Sequence, residues 1–156
     1  MILISFNLNG ETLSKSIKLP LSTKELLISI FYSGNRSFNE NMNRNFSLVL
    51  LDLKPVYSSL VSAFMLNGRS IITVEGLQNT AFYETLVKVL LESDFGFCTN
   101  CFSSNALLFY YLLKRKVIIR ADILGYYNTL KCNCLDVNTF LDIYLRLEEL
   151  ERKGEV

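Results

Sequence analysis

The spacing of apolar residues changes period several times along this chain, and each change predicts an element. From Ile4 to Leu8 apolar and polar residues alternate as in a half-buried strand, and Asn9-Gly10 follows as a hairpin turn. Ser22–Gly34 switches to helical spacing, with Ser22 as cap, Glu25 three residues on and Gly34 as stop, the pattern of a capping box and a glycine C-cap. Asn35–Asn45 is polar and rich in asparagine, a loop. Phe46–Leu53 is a nearly continuous apolar run that predicts a buried strand, ended by Lys54-Pro55. Val56–Gly68 then predicts a helix and Arg69–Gly76 a strand, each closed by its glycine. A third amphipathic helix starts at Asn79 or Thr80, Ser104–Arg115 predicts a fourth, and Val117–Leu124 a strand that turns at Gly125. In the last helix Phe140, Ile143, Tyr144, Leu147 and Leu150 share one face. Asp142–Arg146, Glu148–Arg152 and Glu149–Lys153 form i,i+4 pairs on the other. Strands and helices alternate without a long parallel run, so the expected class is α+β. Lys54-Pro55 is the expected boundary between a small mixed α/β domain, residues 1–54, and a second α/β domain, residues 55–156.

Composition narrows the chemistry. Half of the 156 residues are apolar, a fifth are charged, and the net charge is +1, so any nucleic-acid surface must be a local patch. No apolar run approaches the roughly 20 residues of a membrane span. The first residues lack a basic stretch and a small-residue cleavage site, so a cytoplasmic protein with no membrane partner is expected. Histidine is absent altogether. That removes the usual general acid–base group near neutral pH, Cys–His and Ser–His nucleophile pairs, and every histidine-containing metal site.

Three sets of residues are candidates for chemistry. Cys98-x2-Cys101 and Cys132-x-Cys134 are the four cysteines. An all-cysteine zinc site usually uses two C-x2-C knuckles, and a C-x-C on a strand points its thiols to opposite faces. Zinc, one or two disulfides, and buried thiols are the alternatives; the structural ones are favoured, and no cofactor or metal is expected. Lys114, Arg115, Lys116 and Arg120, flanked by Tyr110, Tyr111, Tyr126 and Tyr127, join cations for phosphate with aromatic faces for bases, so RNA contact is expected there. The same charges also complement a helix C-terminus. Asp52, Glu75, Glu84, Asp94, Asp122 and Asp136 are scattered, and no phosphate-cradling glycine loop occurs, so no catalytic residue is assigned.

Taken in order, "LLISIFYSG", "SSLVSAFMLNGRSIITVEG", "FYETLVKVLLESDFGF" and "ALLFYYLLKRKVIIRADILG" together resemble the archaeal tRNA-splicing endonuclease family across roughly residues 22 to 127. In that family a tyrosine, a histidine and a lysine form the catalytic triad. Here the tyrosine position falls near Lys131, the histidine segment is missing, and Arg152-Lys153 matches the lysine loosely. The resemblance implies a nuclease-like second domain and a structural, catalytically inactive subunit. Such a subunit assembles two plus two with a catalytic endonuclease subunit and helps grip precursor tRNA at its bulge–helix–bulge. The alternative is a small α/β nucleic-acid-binding or protein-interaction module of an archaeon or its virus. A metal-dependent enzyme working through carboxylates such as Glu75 or Glu84 ranks lowest.

Overall fold

Asn9 and Gly10 both take positive φ, 53° and 91°, so the chain reverses in two residues between β1 (Ile2–Leu8) and β2 (Glu11–Ile17). The structure is a computed structural model that describes residues 1–33, 48–93, 101–130 and 134–154. Ile4, Phe6 and Leu8 fall on one face of β1 and are buried, as the alternation requires. At the start of α1 (Thr23–Ser33) the capping box closes: the Glu25 N–H donates to Ser22 Oγ at 3.2 Å, and the Ser22 N–H donates to the Glu25 carboxylate at 2.8 Å. Hydrogen bonds from Ser22 hold the Glu25 carboxyl below its ordinary range. The glycine cap expected at Gly34 and the loop 35–45 lie outside the described residues.

Three more strands complete one sheet: β3 (Leu48–Leu51), β4 (Lys54–Tyr57) and β5 (Ser70–Ile72), in the order β2-β1-β5-β3-β4. β5 lies parallel to β1 and antiparallel to β3. Leu26, Leu27, Ile30 and Phe31 of α1 pack with Ile4, Phe6, Val49, Leu51 and Ile71 in its core. Lys54-Pro55 is not a domain boundary; both residues open β4, an edge strand where a missing N–H is tolerated. The division falls later, between a unit of Met1–Gly76 and a unit of Leu77–Val156. The helix expected over 56–68 is also absent. Two short 3-10 turns, Ser58–Leu60 and Ala63–Leu66, stand there instead. The Thr23 N–H donates to the Val61 carbonyl at 2.7 Å and the Ala63 N–H to the Leu21 carbonyl at 2.9 Å, so long-range pairing takes the groups a helix would use. Leu60, Phe64 and Met65 are consequently exposed rather than buried in an amphipathic stripe.

The second unit is helical: α2 (Ala81–Glu92), α3 (Phe102–Lys114), α4 (Arg120–Tyr127) and α5 (Val137–Arg152). Thr80 caps α2, its Oγ1 accepting the Tyr83 N–H at 3.3 Å. The strand expected over 117–124 is not formed: 117–119 are irregular and α4 begins at Arg120, with Gly125 inside it. Lys116 turns the chain out of α3 at φ 50°, and this unit has no described strand to satisfy an isolated one. Phe140 stacks on Phe109 at 4.5 Å between ring centroids and meets Tyr127 at 5.1 Å. Of the expected surface pairs, Arg152–Glu148 and Lys153–Glu149 form at 3.1 and 2.7 Å. Arg146 passes over Asp142 and reaches Glu92 at 2.7 Å, tying α5 to the end of α2. Among the described residues the chain is thus a mixed α/β protein with one sheet and five α-helices, and the nuclease-like arrangement is not found.

Asp136 begins α5, accepting the Asn138 and Thr139 N–H groups at 3.0 and 3.2 Å. Its bonds to Thr139, side chain first, hold its carboxyl below the ordinary range. A folded-state value below the unfolded one adds stability above pH about 4, which is lost as pH falls through the depressed value. Asp136→Asn keeps an acceptor without the charge, so its melting temperature is expected to lie a few degrees below that of the unaltered chain at pH 7 and to converge with it in acid. Thermal melts across that range check this.

Candidate functional site

Two of the cysteines stand near helix starts. Phe109 of α3 meets Phe140 of α5, and farther on the Tyr144 hydroxyl donates to the Val117 carbonyl at 2.7 Å. Stepping forward past α3 is therefore stepping forward along α5, so the two helices run in the same sense and both start at one end of the unit. Cys101 stands at the N-cap of α3 and is 5% exposed. Cys134 stands two residues before the Asp136 cap of α5 and is exposed. Cys101 and Cys134 thus each stand at or just before the start of a helix, and the two helices pack through Phe109 and Phe140. Cys98 and Cys132, the other members of the motifs, lie outside the described residues.

The supports at this end are polar and local. Asn105, 1% exposed and one turn into α3, donates from Nδ2 to the Cys101 carbonyl at 3.0 Å. Its Oδ1 is buried with no hydrogen-bond partner among the described residues. The Tyr127 hydroxyl donates to the Leu135 carbonyl at 2.7 Å, fixing the residue after Cys134 against α4. Among the described residues no three His, Cys, Asp or Glu side chains gather to hold a metal, two of the four cysteines lying outside that set.

The basic residues occupy the other end. Lys114, Arg115, Lys116 and Arg120 are all exposed where α3 gives way to α4, and the 13-residue length of α3 puts this end about 20 Å from Cys101. Lys114 lies 5.5 Å from the centroid of the Tyr110 ring. Beside them, Tyr111, Arg115, Asp122, Gly125 and Tyr126 line an open cleft. The Tyr111 and Tyr126 hydroxyls share a hydrogen bond of 2.8 Å, which with burial raises the Tyr126 pKa. The acidic candidates have local tasks. Asp52 pairs with Arg69 at 3.5 Å and accepts the Ser70 N–H at 3.0 Å, Asp136 caps α5, and Glu84 lies in the first turn of α2. Glu75 sits in a 3-10 turn with one carboxylate oxygen buried and unpartnered, and Asp94 lies outside the described residues.

No family model and no curated protein sequence matches this chain. Its fold does match solved structures. Quinoline 2-oxidoreductase from Pseudomonas putida 86 aligns with a TM-score of 0.73 at 21% identity, over 99% of this chain and 98% of that one. Aldehyde oxidoreductases from Desulfovibrio desulfuricans and Desulfovibrio gigas align with TM-scores of 0.76 and 0.77, at 17% and 18% identity. There too 99% of this chain is covered, but it spans only 18% of the length of either enzyme.

The chain therefore has a fold found in oxidoreductases, and this overturns the endonuclease resemblance. The expectations that rested on it fall with it: a non-catalytic subunit of tRNA splicing, a catalytic endonuclease partner in a two-plus-two assembly, and precursor tRNA as ligand. The blocks that carried the resemblance were short helix and strand endings, glycine stops and aromatic pairs, which any small α/β chain contains. The alternative of a nucleic-acid-binding module gains no support from the fold either. For Lys114, Arg115, Lys116 and Arg120 themselves, the comparisons do not bear on what they bind. No described helix is long and apolar enough to cross a membrane.

Proposed function

We propose that this chain is an electron-carrying component of an oxidoreductase, with an iron–sulfur cluster held by Cys98, Cys101, Cys132 and Cys134. The observation that carries this reading is that Cys101 and Cys134, one from each cysteine motif, stand at the starts of α3 and α5, two helices packed through Phe109 and Phe140. The likeness over nearly the whole chain to a quinoline 2-oxidoreductase chain supports a redox role.

The donor set fits such a group. Four thiolates and no imidazole are the ligands of an iron–sulfur cluster or of a structural zinc ion. Zinc draws all four thiolates to one atom and favours two chelating knuckles, which the Cys132-x-Cys134 spacing supplies poorly. A 2Fe–2S cluster spreads four thiolates over two irons, a pair to each. This departs from the disulfides or buried thiols, and the absence of a cofactor, expected from the sequence. When bound, the cluster supplies one-electron chemistry. Cys101 and Cys134 would hold it at the helix starts, where Asn105 bonds the Cys101 carbonyl and Tyr127 bonds the Leu135 carbonyl beside Cys134. In this reading the substrate-oxidising site belongs to a partner protein or to another part of a longer chain.

Anaerobic reconstitution with ferrous iron and sulfide tests it. The expected product absorbs in the visible, bleaches with dithionite and contains acid-labile sulfide. Cys101→Ser and Cys134→Ser are each expected to lose most of that colour. A chain that takes zinc and retains no labile sulfide, or a cluster that survives both substitutions together, sinks the reading.

A further inference from the structure

We infer that this cluster is the only thiolate- or imidazole-held redox centre in the chain and that the sheet unit, Met1–Gly76, is redox-silent. The inference rests on the proposed function and extends it to the number of centres and to the role of the first unit. All four cysteines lie between positions 98 and 134, and the chain has no histidine. One cluster consumes all four thiols. The sheet unit is therefore left without any residue of the two types that hold iron–sulfur clusters, haem or copper in most proteins.

The remaining ligands of the sheet unit do not replace them. Its methionines are Met1, Met42 and Met65; Met1 and Met65 are exposed, and Met42 lies outside the described residues. Glu25 is engaged by Ser22 and Asp52 by Arg69 and Ser70, while Glu75, with one buried oxygen unpartnered among the described residues, offers a single carboxylate. The interior is filled by hydrocarbon, with Ile4, Phe6, Leu8, Leu27, Val49 and Ile71 each at most 2% exposed. No phosphate-cradling glycine loop precedes its helix, so a nucleotide cofactor has no cradle there either. A two-electron oxidation coupled to this chain passes through it one electron at a time, so the partner that oxidises substrate must release its electron pair in two steps.

Reconstituted full-length chain should carry about two iron ions and two labile sulfides. Quantitative electron paramagnetic resonance of the dithionite-reduced protein should give one spin per chain, and a reductive titration one electron per chain. The Cys101→Ser/Cys134→Ser double variant should keep neither iron nor signal. Two spins per chain, or iron and a signal persisting in the double variant, would place a second centre outside the four cysteines and overturn the inference while leaving the proposed function standing. Zinc without sulfide in the unaltered chain would instead overturn the proposed function, and this inference with it. The spin and iron counts are made on the unaltered protein, so they decide the matter even where the double variant does not fold.

Discussion

Replacing Phe140 by alanine is expected to lower the stability of the helical unit by about 3–5 kcal/mol, the usual range for truncating a buried phenylalanine. Phe140 is wholly buried, stacked on Phe109 at 4.5 Å and tilted against Tyr127 at 5.1 Å, so it joins α3, α4 and α5 at one point. Its ring neighbours belong to two other helices and cannot close the gap by one side-chain rotation, which puts the loss toward the larger values. Phe140→Leu keeps most of the volume and should lose much less. Urea unfolding followed by circular dichroism reads both. A loss below about 1 kcal/mol for Phe140→Ala would mean that the three helices are not joined there. If the proposed cluster forms, the substitution should also weaken its retention, since Phe140 packs the start of α5 against α3.

The second large effect is in the sheet unit. A Cβ at Gly76 would stand 2.3 Å from Asn9 Oδ1 and 2.5 Å from its Cγ. Asn9 cannot simply turn away. Its Oδ1 accepts the Thr73 N–H at 2.8 Å, its Nδ2 donates to Thr73 Oγ1 at 3.0 Å, and its own backbone is fixed at positive φ in the hairpin turn. Gly76→Ala is therefore expected to destabilise by about 1–3 kcal/mol, through overpacking and the displaced hydrogen bonds. Asn9→Gly removes the obstacle and suits the positive φ, so a double variant should recover some of the loss beyond what the single variants predict. Strict additivity of the two substitutions would show that the clash is not the cause.

Elements fixed by local chemistry were legible in the sequence. The β1–β2 hairpin follows from Asn9-Gly10, α1 from Ser22 and Glu25, α2 from Thr80, and α5 from its apolar face. Each is set by residues within a turn or two of one another. The failures occurred where distant partners decide. Val56–Gly68 has helix-forming composition, yet Leu21 and Thr23 capture its backbone from 40 residues away. Val117–Leu124 has β-branched residues at its start, but it lies in a unit without described strands, where Tyr144 takes the Val117 carbonyl. The proposed cysteine site was half legible. Both motifs stood in the sequence, but the shared direction of α3 and α5 is a tertiary fact, and without it Cys132-x-Cys134 resembled a strand with divergent thiols. The basic cluster was visible as such, while its separation from the cysteines by the length of α3 was not.

The three-residue β5 gives the sheet unit a particular order of assembly. Each of its two hairpins, β1–β2 and β3–β4, closes locally and can form early in synthesis. Nothing else in the sheet joins them: β5 sits between β1 and β3, and Ser70–Ile72 comes last of all the described strands along the chain. Until those residues leave the ribosome, both hairpins carry an open edge with Leu8 on one and Leu50 and Leu51 on the other, a template for pairing with other chains. A nascent chain halted before Ser70 is thus the form of this protein most in need of a chaperone, and the strand that removes the need is also its shortest.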